Sequence, residues 1–264
     1  MQIGKIAVLG AGNMGGSIVN GIIQSRYLDA ASVYVADPRE GILEGFRSKG
    51  VQTCQKNIEA AEAADLVIFA VKPYLIETVI REVRPALTPG KILVSIVTGV
   101  SLSRLEVLAG GGQLGIFRVM PNTAIAIQES MTCIASGGNP GESLEIVKDL
   151  FDHLGKTVVI SEELMAAATV LASCGTAFAL RYVRAAMQGG VEMGFSADMA
   201  QFITAQTVRG AVQLVLNTGN HPEKEIDKVT TPGGITITGI NEMEHQGFSP
   251  AVIQGLISAF KKIG

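Results

Sequence analysis

The sequence predicts an α/β protein: a doubly wound parallel sheet over residues 1–160, followed by an all-helical domain over 161–264. Three observations carry this. An apolar run near the N-terminus ends in glycines and passes straight into helical spacing. Short apolar runs then recur between helical stretches, which is the rhythm of strand-helix-strand units. Past residue 160 long helical patterns take over, with no repeat, low-complexity tract or long linker between the two regimes.

KIAVLG at 5–10 gives the first strand, and apolar spacing over 14–25 the first helix. SVYVAD at 32–37 reads as the second strand, with a short helix over 40–49. LVIFAV at 66–71 and ILVSIV at 92–97 are almost wholly apolar, as expected of parallel strands covered on both faces. GIFRVM at 115–120, MTCIAS at 131–136 and TVVI at 157–160 continue the series, with a helix over 142–153. The second regime holds helices over 162–188, 196–218 and 249–262 and shorter ones over 222–228 and 235–246. Only ITIT at 235–238 has strand-like alternation there.

Composition excludes several classes of function. The chain is 47% hydrophobic with net charge −3, so no basic footprint points to nucleic acid. Its three cysteines, Cys54, Cys133 and Cys174, are odd in number and form no C-x-x-C. That argues against a disulfide framework or zinc site and fits a reducing, cytoplasmic setting. The N-terminus enters a strand without a basic region or cleavage site, so no signal peptide is expected. The uncharged run LMAAATVLASCGTAFAL at 164–180 approaches the length of a membrane span. Its small residues, its flanking Glu163 and Arg181 and the lack of a second such run predict instead a helix buried all round, in a core or a subunit interface. The chain is therefore expected not to be a monomer and not to enter a membrane. His153, His221 and His245 have no metal-ligand spacing, and His221, before Pro222, reads as a helix cap.

Gly10-Ala11-Gly12-Asn13-Met14-Gly15 is a G-x-G-x-x-G fingerprint in the right context, closing a strand and opening a helix. Gly10 permits the tight turn, Gly12 has no side chain to block a pyrophosphate, and Gly15 lets helix and strand pack closely. This is the signature of a Rossmann domain that binds a nicotinamide dinucleotide. Asp37, at the end of the second strand, suits the ribose hydroxyls of NAD, whereas Arg39 suits the 2′-phosphate of NADP. The two signals conflict, and the cofactor is NADH or NADPH. AVKP at 70–73 sits at the carboxyl end of another strand, where open α/β sheets bind ligands.

Taken with GAGNMG, AVKP, SIVTGVS (95–101) and RVMPNT (118–123), the late stretch NHPEKEIDKVTTPGGITITG and the closing GFSPAVI (247–253) make the chain resemble the pyrroline-5-carboxylate reductase family along its whole length. The T-P-G-G-x-T block is the most specific of these. The resemblance implies a Rossmann domain followed by a helical dimerisation domain, dimers that assemble further into decamers, and reduction of 1-pyrroline-5-carboxylate to proline by NADH or NADPH. It also implies that Gly10, Gly12, Asn13, Met14 and Gly15 hold the dinucleotide, and that Asn57, Ala70, Val71, Lys72 and Pro73 line its adenosine and nicotinamide sides. Thr231, Gly233, Gly234 and Thr236 would form the substrate loop. Two departures stand out: Ala124 where the family usually has proline, and Ala172-Ser173-Cys174-Gly175-Thr176-Ala177-Phe178 where it often has S-G-S-G-P-A-Y. They bear on pocket shape and substrate breadth, not on reaction class.

That chemistry accounts for the lack of a conventional catalytic group. The cofactor supplies the hydride, and the protein has to orient a cyclic imine and grip its carboxylate. Backbone amides in a glycine-rich turn can do the second. The Thr231 hydroxyl adds a donor, and Thr236 is the catalytic candidate, hydrogen-bonding the ring nitrogen. Either a threonine or a water suffices as proton source, because imines are far more basic than ketones. A β-hydroxyacid dehydrogenase would need a lysine on the interdomain helix, and 164–190 contains none. The isolated Glu192 and Asp198 do not make the acidic metal site of a ketol-acid reductoisomerase. A broader imine reductase stays close. A non-catalytic dinucleotide sensor would not be expected to keep TTPGGIT intact.

Overall fold

The structure is a computed structural model describing residues 3–111, 113–138 and 140–263. It divides into two compact units between Thr176 and Ala177, later in the chain than the 160/161 division read from the sequence. The first turns of the long helix stay with the sheet because Met165 and Val170 are buried in the first unit.

The first unit alternates β1 (Ile6–Leu9), α1 (Asn13–Gln24), β2 (Val33–Ala36), α2 (Glu40–Arg47), β3 (Gln52–Cys54), α3 (Asn57–Ala63), β4 (Leu66–Phe69), α4 (Ile76–Val83), β5 (Ile92–Ser95) and α5 (Leu102–Ala109). It continues with β6 (Gly115–Met120), β7 (Ser130–Ser136), α6 (Ser143–Asp152) and β8 (Gly155–Val159). The sheet order is β3-β2-β1-β4-β5-β6-β7-β8. After β3 the chain crosses to the far side of β1, so β1 and β4 flank the switch point, with Ile6 opposite Leu66 and Leu9 opposite Phe69.

Successive residues of each central strand feed two separate cores. Ile6, Val8, Ile68, Val94 and Phe117 pack with Ile18, Ile22, Leu43 and Phe151 of α1, α2 and α6. Leu9, Phe69, Leu93 and Ile116 pack with Ala60, Ile80 and Leu105 of α3, α4 and α5. Burial on both faces is why these strands read as continuous apolar runs rather than as alternation.

One strand corrects the parallel expectation. β7 runs antiparallel to β6, with Phe117 opposite Ser136 and Met120 opposite Cys133. Their connection, 121–129, holds only a 3₁₀ turn over Thr123–Ile127, too short for the crossover that parallel strands need. β8 then returns parallel to β7 through α6. The Ala124 amide donates to Asn122 Oδ1 at 3.0 Å. A proline there, with no N–H, could not make that bond.

The stretch read as one helix over 162–188 is composite. A 3₁₀ turn (Glu162–Leu164) and α7 (Met165–Ala168) lead into a π-helical stretch, Thr169–Cys174, and then α8 (Gly175–Glu192). Among the described residues Glu162–Glu192 is the one helical stretch long and apolar enough to cross a membrane. Within the chain little of it is buried, and Leu171 and Leu180 are exposed, so it is not a helix buried all round in a core. The second unit adds α9 (Ala197–Thr218), α10 (Pro222–Asp227), α11 (Ile235–His245) and α12 (Phe248–Ile263). His221 caps α10 as expected, its Nδ1 accepting from the Glu223 amide at 3.3 Å. The alternating ITIT is not a strand; it forms the first turn of α11.

Candidate dinucleotide site and substrate turn

The glycine loop joins β1 to α1 at the switch point, where α/β sheets take their ligands. Gly10 has φ +100°, and a Cβ there would lie 2.7 Å from the Ala70 carbonyl oxygen. The loop thus presses against the backbone that follows β4. A Cβ on Gly15 would collide with the Gly10 carbonyl oxygen, whereas one on Gly12 would meet nothing within 4 Å. Gly12 is also the N-cap of α1 and offers no side-chain cap, so the first amides of that helix face a vacant corner. Asn13 and Met14 form its first turn. This is a cradle fitted to a pyrophosphate.

Asp37, following β2, is only 3% exposed. Its Oδ2 accepts from the Ala11 amide at 2.9 Å and from Arg39 Nη2 at 2.8 Å. Its Oδ1 accepts from the Arg39 amide at 3.0 Å and from Arg39 Nε at 2.8 Å. Burial by itself pushes this carboxyl up; the Arg39 side chain, the amides of Ala11 and Arg39 and the guanidinium charge outweigh it and hold the group below the usual range. A carboxyl lowered in the folded state adds stability that is complete above its unfolded value, about 4, and fades as pH falls through the folded value. Urea midpoints of the protein and of Asp37→Asn should therefore differ by a constant amount from pH 7 to about pH 5 and converge below about pH 4. A gap unchanged at pH 3 would mean that the ionised carboxylate is not what the pairing stabilises.

The remaining cofactor candidates lie along the carboxyl edge of the same sheet. Ala70 continues β4, its amide donating to the Leu9 carbonyl at 2.9 Å, and Val71 follows it. Lys72 is exposed and precedes a 3₁₀ turn opened by Pro73. Asn57 starts α3, and its Nδ2 donates to Glu82 Oε2 at 2.8 Å.

The first unit also holds a cluster that the sequence reading missed. Glu162 Oε1 accepts from Arg118 Nη1 on β6 and from the Leu102 amide at the start of α5, each at 2.7 Å. The bond ties down the end of the Thr98-Gly99-Val100-Ser101 connection at the ligand-binding edge of the sheet. Residues sixty positions apart give no local pattern, so no sequence signal marks this bond.

In the second unit, Thr231–Gly234 form a tight turn in which the Gly234 amide donates to the Thr231 carbonyl at 2.9 Å. Gly233 has φ +66°, and a Cβ on Gly234 would overlap Thr231 Oγ1. The turn opens α11, leaving the amides of Ile235, Thr236 and Ile237 without an acceptor in the helix. The hydroxyls of Thr230 and Thr238 are tied to the carbonyls of Asp227 and Gly234. Those of Thr231 and Thr236 have no hydrogen-bond partner among the described residues. Two free hydroxyls and a helix N-terminus gather hydrogen-bond donors of the kind an anion accepts from.

Comparison with known proteins shows the family of the chain. Residues 162–264 match the family model described as pyrroline-5-carboxylate reductase dimerisation, and residues 5–99 the one described as NADP oxidoreductase, coenzyme F420-dependent. Pyrroline-5-carboxylate reductase 1 of Dictyostelium discoideum is 38% identical over 97% of this chain, which spans 49% of that relative's length. Pyrroline-5-carboxylate reductase 2 of the same organism is 39% identical over 98% of this chain and 91% of the relative. The crystal structure of Plasmodium falciparum pyrroline carboxylate reductase with NADP bound superposes with TM-score 0.90 at 26% identity, covering 100% of this chain and 98% of that one. With such a relative matched along nearly the full length of both sequences, the chain belongs to the pyrroline-5-carboxylate reductase family.

Proposed function

We propose that the chain reduces 1-pyrroline-5-carboxylate to L-proline, the last step of proline synthesis, using NADPH or NADH. The observation that carries this reading is the family kinship, which runs through both the glycine cradle and the turn before α11. Gly10, Gly12 and Gly15 shape the cradle, with the first amides of α1 directed at the pyrophosphate. When bound, the dinucleotide supplies a hydride. The turn at Thr231–Gly234 and the free amides of α11 grip the substrate carboxylate. Thr236 hydrogen-bonds the ring nitrogen, which gains a proton as the C=N bond becomes C–N. Incubation with pyrroline-5-carboxylate and each reduced cofactor, followed by loss of cofactor absorbance, tests the assignment; turnover with neither overturns it.

Thr236→Ala is expected to lower kcat/KM by about 1–3 kcal/mol of transition-state stabilisation, the worth of one hydrogen bond to a polar reacting group. An unchanged kcat/KM would remove Thr236 from the mechanism.

The active form in this reading is a dimer that can assemble further, with decamers as the expected higher state, and it works in the cytoplasm. The exposed apolar residues of the second unit, among them Leu180, Met193, Phe202 and Leu216, support a protein interface rather than a lipid-facing surface, as does the dimerisation description of the matched family model. The free thiols Cys54, Cys133 and Cys174 fit a reducing compartment. Light scattering of the purified protein should give at least a dimer mass, and a monomer at micromolar concentration would contradict the interface.

A further inference from the structure

We propose that Arg39, braced by Asp37, makes this chain select the 2′-phosphorylated dinucleotide, and that Asp37 is not an acceptor for the ribose hydroxyls. The inference rests on the dinucleotide reading above and specifies its adenosine corner. An ionised carboxylate offers about four lone-pair positions. In Asp37 all four are taken, by the Ala11 amide, the Arg39 amide and two guanidinium N–H groups, at 2.8–3.0 Å. At 3% exposure the carboxylate has neither the capacity nor the access to receive a ribose diol.

Arg39 is in the opposite situation. Its side chain is 60% exposed although two of its donors are fixed on Asp37. A guanidinium carries five N–H donors in a rigid plane, so three remain for a ligand. The bidentate pairing holds that plane still, so less side-chain freedom is lost when a phosphate arrives. It also neutralises the acid that would otherwise repel a 2′-phosphate. Glu40, the neighbouring acid, is likewise engaged, by Arg47 at 2.8 Å and by Gln55 at 2.9 Å. The amides of Glu40 and Gly41, at the start of α2, have no acceptor in the helix and add donors at the same corner. Through Ala11 the brace reaches the glycine loop, so one carboxylate organises both the arginine and the cradle.

Direct binding to the whole protein tests this without reference to turnover, by isothermal titration with NADPH, NADH, adenosine 2′,5′-bisphosphate and adenosine 5′-monophosphate. The protein should prefer each 2′-phosphorylated member by about 10–100-fold, the worth of charge-assisted hydrogen bonds to one phosphate. Arg39→Ala, a change at an exposed side chain, should abolish that preference and leave NADH affinity within about threefold. Asp37→Asn should also weaken NADPH, because Arg39 loses its brace. The inference is overturned if Asp37→Asn strengthens NADPH and weakens NADH, as a ribose acceptor would require, or if Arg39→Ala affects both dinucleotides equally. Binding of both dinucleotides without preference sinks this inference alone, whereas binding of neither sinks the dinucleotide reading with it.

Discussion

Gly15→Ala is expected to cost the first unit about 3 kcal/mol, while Gly12→Ala, three residues away, leaves the fold intact and weakens cofactor binding. In an ordinary helix, alanine is better than glycine by about 1 kcal/mol. At Gly15 that gain is overwhelmed, because the new Cβ collides with the Gly10 carbonyl oxygen and approaches Ala70 Cβ to 3.1 Å. Both obstacles belong to the sheet and its loop, so relief requires moving α1 off β1. Against a total stability of about 5–15 kcal/mol this is a large fraction, visible as a marked fall in urea midpoint. At Gly12 the added methyl meets only open space, and the backbone, at φ −70°, accepts alanine without strain. That same space is where the pyrophosphate must approach the amides, so NADPH affinity should fall about 30–100-fold through lost charge-assisted hydrogen bonds. Wild-type affinity in Gly12→Ala would show that the loop is not the cradle.

Glu162→Ala should destabilise the first unit by about 2–4 kcal/mol. Arg118 is 13% exposed and Glu162 29%, so the pair is mostly out of water. Truncating the acid leaves a nearly buried guanidinium without its counter-charge and the Leu102 amide without its acceptor. Glu162→Gln keeps one carbonyl oxygen and should lose less. In a double-mutant cycle, adding Arg118→Met to Glu162→Ala should recover part of the loss, since the stranded charge is gone. Additive effects in chemical denaturation would mean that the two side chains do not stabilise each other.

The contrast between these two sites explains what could be read from the sequence. The glycine loop is local: three glycines and the strand and helix they join lie within one short segment, so each residue's role follows from spacing alone. The central strands were legible for a related reason, because burial on both faces leaves only apolar residues. The edge strand β3, Gln52–Cys54, has no such constraint and left no run to find. The antiparallel turn of β7 depends on the length of a connection rather than on the strand's own residues, so MTCIAS looks no different from its parallel neighbours. The π-helical stretch, Thr169–Cys174, keeps the apolar, small-residue pattern of the helix around it. At the adenosine corner, both residues were identified but not their partnership. Spacing alone makes Asp37 and Arg39 rival readers of the ribose, and the geometry makes them one unit.

The outer margin of the sheet has a consequence for solubility. β8 pairs with β7 on one side only, and Val158 and Val159 are exposed along it, a pattern that invites another chain to add a strand. Asp152 intervenes, with its Oδ1 accepting from the Thr157 amide at 3.0 Å and the Thr157 hydroxyl at 2.8 Å. A donor that an intruding strand would need is thereby already consumed, and Lys156 adds a charge beside it. One aspartate thereby blunts the rim against the addition of a foreign strand.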